Sequence, residues 1–235
     1  MIMEPNDPTR TGPAISDLPP SAVLSRNEIE ALCTKAARGA GLSWGHAEEA
    51  GFAAGWLHAR GIDGSAALLA HLDRRAGMAW ADVCPAVGIG RWQARGRGPI
   101  CSIALGAALS DHCGLPEGAL NEGLSVGPVS QPILVLPFLS RMAEVLGHAV
   151  LLCFDGWEIC VDSHGTSGDT GRLTRLAEAS FGLSLGTHPD GSGCLPVYDC
   201  AHATLTALGD LAMRTTVPPS ERSRADAGAG TADND

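Results

Sequence analysis

Two carboxylates and an imidazole fall within residues 158–164, and of all the side chains in this sequence they are best suited to moving a proton. Glu158 and Asp162 are four residues apart. On one extended strand that is about 13 Å, too far for a single carboxylate pair but close enough for each to meet a different part of one ligand. His164 follows, and the charge of a histidine changes nearest neutral pH, so it completes an acid/base set. The partner for an anionic substrate would come from Arg91, Arg95 and Arg97, the one locally basic stretch. There Gly88-x-Gly90 frees backbone N–H groups, and guanidinium forks suit a carboxylate or phosphate. The stretch does not join a strand to a helix start as a dinucleotide fingerprint must. An ordinary wet sheet face and a flexible surface loop are the plain alternatives for these two stretches.

Lys35, the sole lysine among 16 basic residues, is the remaining binding candidate. Its helix turns it away from Ile29, Leu32 and Cys33, so a solvated lysine is expected; a Schiff-base lysine would need burial. Ser163 and His164, as neighbours in extended chain, point to opposite sides and cannot form a nucleophile–base pair, and G-x-S-x-G is absent. His188, Cys194, Cys200 and His202 cluster in sequence, as do Asp111, His112 and Cys113. Neither spacing matches a zinc site and H-E-x-x-H is absent, so no metal is expected. No motif specifies a cofactor.

The element that would position Glu158 and Asp162 is the run HAVLLCFDGWEICVD at 148–162. Asp155-Gly156 between two apolar runs supplies the positive φ values of a type I′ turn, so the run reads as a two-residue hairpin. That register sets Phe154 opposite Trp157, Leu152 opposite Ile159 and Val150 opposite Val161, six side chains on one apolar face. The other face is mixed: Cys153 beside Glu158, Leu151 beside Cys160, Ala149 beside Asp162. Cys153 and Cys160 are diagonal, roughly 7–8 Å apart in backbone, which is long for a bridge.

Residues 1–24, polar and Pro-rich, read as a disordered lead. A helical unit is expected over 25–76. It opens with the capping box Ser25-Arg26-Asn27-Glu28 and continues through a helix from Ser43 to about residue 60 and a third capped by Ser65. Gly51 and Gly55 cost the second helix roughly 1 kcal/mol each but smooth its surface for close helix contact. Residues 77–216 form the expected sheet core, one compact domain with 25–76. Within it, 77–98 read as irregular, 99–109 as a buried strand passing into a helical turn, and 111–131 as a Gly/Pro-rich connection. Next come a strand at 132–137, a helix at 138–146, the hairpin and a helix at 170–181. An edge strand at 194–198 and a helix from about 201 to 214, capped by Asp199, complete the core. Residues 217–235 read as an extended tail. The fold class is α+β: an N-terminal helical unit beside a mainly antiparallel sheet with helices on one face.

A chain of 235 residues that is 45% hydrophobic can bury a substantial core. A formal charge of −10 argues against nonspecific binding to nucleic acid or anionic membrane. No run of roughly 18 apolar residues suggests a membrane span, and no signal peptide is visible, so a cytoplasmic protein with reduced thiols is expected. The stretches NEIEALCTKAARGAGLSWGHAEEAG at 27–51 and VPPSERSRADAGAGTADND at 217–235 resemble the two ends of an uncharacterised bacterial family, a domain of unknown function. That resemblance implies that Lys35, Glu48, Glu49 and the Gly-Ala-Gly tail belong to a family pattern; it implies no activity. Two functions stay open. One is a cytoplasmic small-molecule enzyme acting on a carboxylate-bearing metabolite, with Glu158, Asp162 or His164 as acid/base and the arginines as an anion clamp. The other is a noncatalytic accessory or ligand-binding subunit that meets a partner or a second copy of itself. The enzyme requires both sets to converge on one pocket; the accessory subunit requires an exposed apolar strip on an N-terminal helix.

Overall fold

The computed structural model describes residues 21–187 and 199–215. Strand β1 (Ser21–Ala22) leads into helices α1 (Arg26–Gly39), α2 (Trp44–His58), α3 (Gly64–Arg75) and the one-turn α4 (Trp80–Val83). Strands β2 (Pro85–Ala86), β3 (Arg91–Ala94) and β4 (Ile100–Cys101) precede helix α5 (Ser102–Asp111). Strand β5 (Leu124–Ser130) runs into a 3-10 turn (Pro132–Val135) and helix α6 (Leu136–Leu146). Then follow β6 (Ala149–Phe154), β7 (Trp157–Val161), β8 (Thr166–Ser167), α7 (Thr170–Thr174), β9 (Glu178–Gly186), β10 (Cys200–Ala201) and α8 (His202–Met213). The class is α+β. The main sheet has eight strands in the order β2-β3-β5-β9-β6-β7-β8, with β4 beside β5, and is antiparallel apart from the β3–β5 and β4–β5 pairs.

The hairpin forms in the expected register, with Phe154 opposite Trp157, Leu152 opposite Ile159 and Val150 opposite Val161. Asp155 and Gly156 both take positive φ, 46° and 75°, as a type I′ turn requires. Five of the six apolar side chains are buried; Trp157 is corrected to the surface at 43% exposure, its ring covered by the Arg172 guanidinium at 3.7 Å. The opposite face carries Leu151, Cys153, Glu158 and Cys160, continued on β9 by Gly182 and Ser184, all half-buried or exposed.

Four segments differ from expectation. Residues 77–98, expected to be irregular, hold α4, β2 and β3, and β3 pairs with β5 in the main sheet. Residues 132–137 are helical: Ile133, Leu134, Val135 and Leu136 are all fully buried, and an apolar run surrounded by protein has no periodicity to separate helix from strand. Pro137 is tolerated because the first helical turn needs no donor from it. The region 111–131 holds the central strand β5, whose Gly127-Pro128 forms a bulge between Val126 and Val129 rather than a connection. Of 170–181 only the first five residues are helical, and Phe181 and Leu183 bury on alternate positions of β9.

The N-terminal helices follow their expected boundaries. Ser25 Oγ accepts from Glu28 N and the Glu28 carboxylate accepts from Ser25 N at 2.8 Å, completing the capping box. Asp63, not Ser65, caps α3: its Oδ1 accepts from Ala66 N at 2.9 Å and from Ser65 Oγ at 2.7 Å. A Cβ on Gly51 would overlap Thr34, so the glycine lets α2 lie close on α1. Helix α8 forms, but Asp199 does not cap it, accepting instead from Ser21 Oγ at 3.4 Å. The expected loop and edge strand at 189–198 and the tail at 217–235 lie outside the described residues.

Candidate functional site

The hairpin carboxylates and the arginines come to rest in different places. Glu158 and His164 are exposed. Asp162 is buried, and its Oδ1 accepts from His164 N and Gly165 N at 2.8 Å each, so this carboxylate organises the turn after β7. Arg91, on β3, is four strand steps from β7, about 19 Å at the usual strand spacing. The sheet therefore does not bring Arg91 and Glu158 together. The glycine-rich stretch has a structural use: Gly90 turns β2 into β3 at φ 70°, and a Cβ on Gly96 would overlap Asp82 of α4. Arg97 is exposed, and so is Lys35, which lies in a shallow groove beside Trp44.

Of the three expected arginines, Arg95 lines a pocket. Its backbone N donates to Cys84 O at 3.0 Å, fixing it beside α4. The pocket is open, holds about 320 Å³ and lies among the first turn of α2, α4, β2 and α5. Ala104, Ala107 and Ala108 recur at helical spacing on α5 and make an apolar floor. Around it stand Arg95, His46, Asp111 and His112, with the Trp80 ring against His46 at 5.0 Å between centroids. The pocket thus has an apolar floor with a few polar groups at its rim.

His112 is held on two sides. At the C-terminal end of α5 its Nδ1 lies 2.9 Å from Ala108 O, and its ring packs edge-on against buried Trp92 at 5.5 Å. A carbonyl only accepts, so Nδ1 carries the proton and Nε2 is the acceptor of the neutral ring. His46 sits in the first turn of α2, its Nδ1 3.0 Å from Ser43 Oγ. Burial first, and then the Arg75 charge, hold its imidazole below the usual histidine value. Neither histidine nor Asp111 stood out as an acid/base candidate in the sequence; His112 drew notice only as part of a rejected metal triplet. The signal for them is tertiary, since α2 and α5 meet only in the fold.

A second polar cluster is wholly buried. Parallel pairing of β4 and β5 sets Cys101 beside Ser130, and α3 lays His71 over both. His71 Nε2 is 3.3 Å from Cys101 Sγ, and Nδ1 is 3.3 Å from Ser130 Oγ and 3.4 Å from Ser102 Oγ. Burial, followed by the charges of Arg75 and Arg74, pushes the His71 imidazole down to about 4. Burial likewise pushes the Cys101 thiol up, against the pull of the Ala104 and Ile103 N–H groups and of Arg75. Among the described residues no group of three or more His, Cys, Asp and Glu side chains could hold a metal, and no helix is long and apolar enough to cross a membrane. His188 and Cys194 lie outside the described residues.

These features define an α+β protein with an open pocket at the join of its N-terminal helices and its sheet. Residues 24–101 match the model of a family described as protein of unknown function (DUF3726). The match takes in 27–51, the first of the two stretches that carried the resemblance, and it contributes His46, Trp80, Cys84 and Arg95 to the pocket. No curated protein matches the chain.

Proposed function

We propose that the pocket between α2, α4, β2 and α5 takes a small carboxylate-bearing metabolite and that the protein moves a proton on it. The observation that carries this reading is one open pocket of about 320 Å³ with a guanidinium, two imidazoles and a carboxylate over an apolar floor. Arg95 would pair with the substrate carboxylate, a charge-assisted contact about twice as strong as a neutral hydrogen bond. His112, its Nδ1 committed to Ala108 O, would offer Nε2 as the general base. The protonated His112 would then return that proton, while His46, held below the usual histidine value by burial, would stay neutral and hydrogen-bond the ligand. The acid/base work thus moves from Glu158, Asp162 and His164 to the pocket, while Arg95 keeps its expected role. Free thiols among the described residues, including exposed Cys153, and the resemblance to a bacterial family favour the reducing cytoplasm of a bacterium as the setting.

A thermal-shift series over small organic acids tests this. A ligand at 100 times its Kd should stabilise by about 2.7 kcal/mol, a Tm rise of about 5–10 °C for a chain of this length. Arg95→Ala should remove the shift. An unchanged Tm with every acid, or an equal shift in Arg95→Ala, would count against the proposal.

One observation favours the accessory reading. Trp44 is 66% exposed at the edge of an open groove on α1 that also holds Lys35 and Glu30. An exposed tryptophan beside an open groove suits contact with a partner subunit or a second copy of this chain. Loss of self-association or of a co-purifying subunit on Trp44→Ser would support that arrangement.

A further inference from the structure

The pocket chemistry leaves the Cys101–His71 cluster unused, although its parts are those of a thiol arranged to give up a proton. Cys101 is the residue immediately before α5, where backbone N–H groups lack helical partners and favour negative charge. His71 Nε2 stands 3.3 Å from the sulfur, and Nδ1 is steadied by two serine hydroxyls. A small cavity of about 10 Å³ lies against the pair, lined by His71, Arg74, Arg75, Met78, Cys101 and Ser130. Among the described residues Arg75 Nε is buried without a hydrogen-bond partner, so the wall of this cavity holds a donor still to be satisfied.

We propose that Cys101 is a peroxide-reactive thiol, with His71 as its base and the cavity admitting hydrogen peroxide while excluding larger hydroperoxides. The space is about that of one water sphere. Hydrogen peroxide has one more oxygen, which the flexible Met78 side chain can accommodate; an alkyl or aryl group cannot enter. In the reaction His71 Nε2 takes the thiol proton and the sulfur attacks one peroxide oxygen. The O–O bond breaks, and the departing oxygen takes the proton back from His71 and leaves as water. Cys101 becomes a sulfenic acid, oxidised by two electrons as the peroxide is reduced by two. Arg75 is placed to donate to the departing oxygen. Burial keeps His71 neutral at physiological pH and its lone pair free, but the same lowering makes the ring a weaker base than free imidazole and opposes the transfer. Burial of the thiol opposes the step, and the helix N–H groups with Arg75 assist it.

The full chain is treated with hydrogen peroxide or cumene hydroperoxide, freed of either oxidant by rapid desalting and unfolded in urea containing dimedone. Each cysteine is then read by peptide mass spectrometry. With hydrogen peroxide, Cys101 should carry the sulfenic adduct at least about tenfold above Cys33, which is equally buried and whose thiol burial pushes up. With cumene hydroperoxide, exposed Cys153 should be labelled and Cys101 spared. His71→Asn should lower Cys101 labelling at least about tenfold with far-ultraviolet circular dichroism unchanged. An unlabelled Cys101, labelling no higher than Cys33, or equal labelling by both hydroperoxides would overturn the proposal. The wild-type comparison of the two hydroperoxides decides whatever the stability of His71→Asn.

Discussion

Lowering the pH from 7 to 5 should cost the protein about 2 kcal/mol of stability through one side chain, His71. The imidazole is fully enclosed between Cys101, Ser102 and Ser130, and burial pushes it from 6.5 down to about 4. Between those values the unfolded chain binds a proton that the native state refuses. The stabilisation is therefore complete above about 6.5 and is lost as the pH falls towards 4. A gap of about 2.5 at about 1.4 kcal/mol per pH unit gives about 3 kcal/mol in all, of which about 2 falls between pH 7 and 5. The assay is urea unfolding of the wild type and His71→Asn at the two pH values. The variant should be weaker at pH 7, because Cys101 and the two serines lose a partner. Its loss on acidification should be smaller than that of the wild type by about 2 kcal/mol, a difference of about 1 M in urea midpoint. Equal losses in the two proteins would mean that His71 titrates alike in the folded and unfolded chain, contrary to its burial.

Two further substitutions probe the frame around the pocket. Gly106→Ala places a Cβ into the Phe138 ring between α5 and α6, and overpacking there should cost about 1–3 kcal/mol, read as a lowered Tm. Asp162→Ala leaves the N–H groups of His164 and Gly165 without their acceptor and should cost about 1–3 kcal/mol, while the thermal shift given by organic acids persists. Loss of that shift with stability intact would return Asp162 to the site.

The parts of the fold legible in the sequence are those decided locally. Asp155-Gly156 forces one turn type, and the residues around it alternate, so the hairpin register followed from a few positions. Ser25 and Glu28 announced α1 in the same way. The central strand was hidden because Gly127-Pro128, usually a break, is here a bulge that keeps β5 paired with β9. The run 133–136 was hidden because burial on every side erases the contrast that separates the two periods. Arg95 stood out through local basic density. His46, Asp111 and His112 did not, because His46 lies 65 residues before the adjacent Asp111 and His112 and meets them only when α2 packs across α5. The trio of His71, Cys101 and Ser130 depends likewise on the β4–β5 pairing and on α3 lying over it, neither of which leaves a pattern in one segment.

Titration calorimetry of wild type and Arg95→Ala, with the organic acid that most raises Tm, reads the contact between the Arg95 guanidinium and the ligand carboxylate. The wild type should bind one equivalent, and removal of the guanidinium should weaken binding by about 10–100-fold, the worth of one charge-assisted contact of roughly 1.5–3 kcal/mol. An unchanged Kd in Arg95→Ala would contradict the account and move the ligand elsewhere.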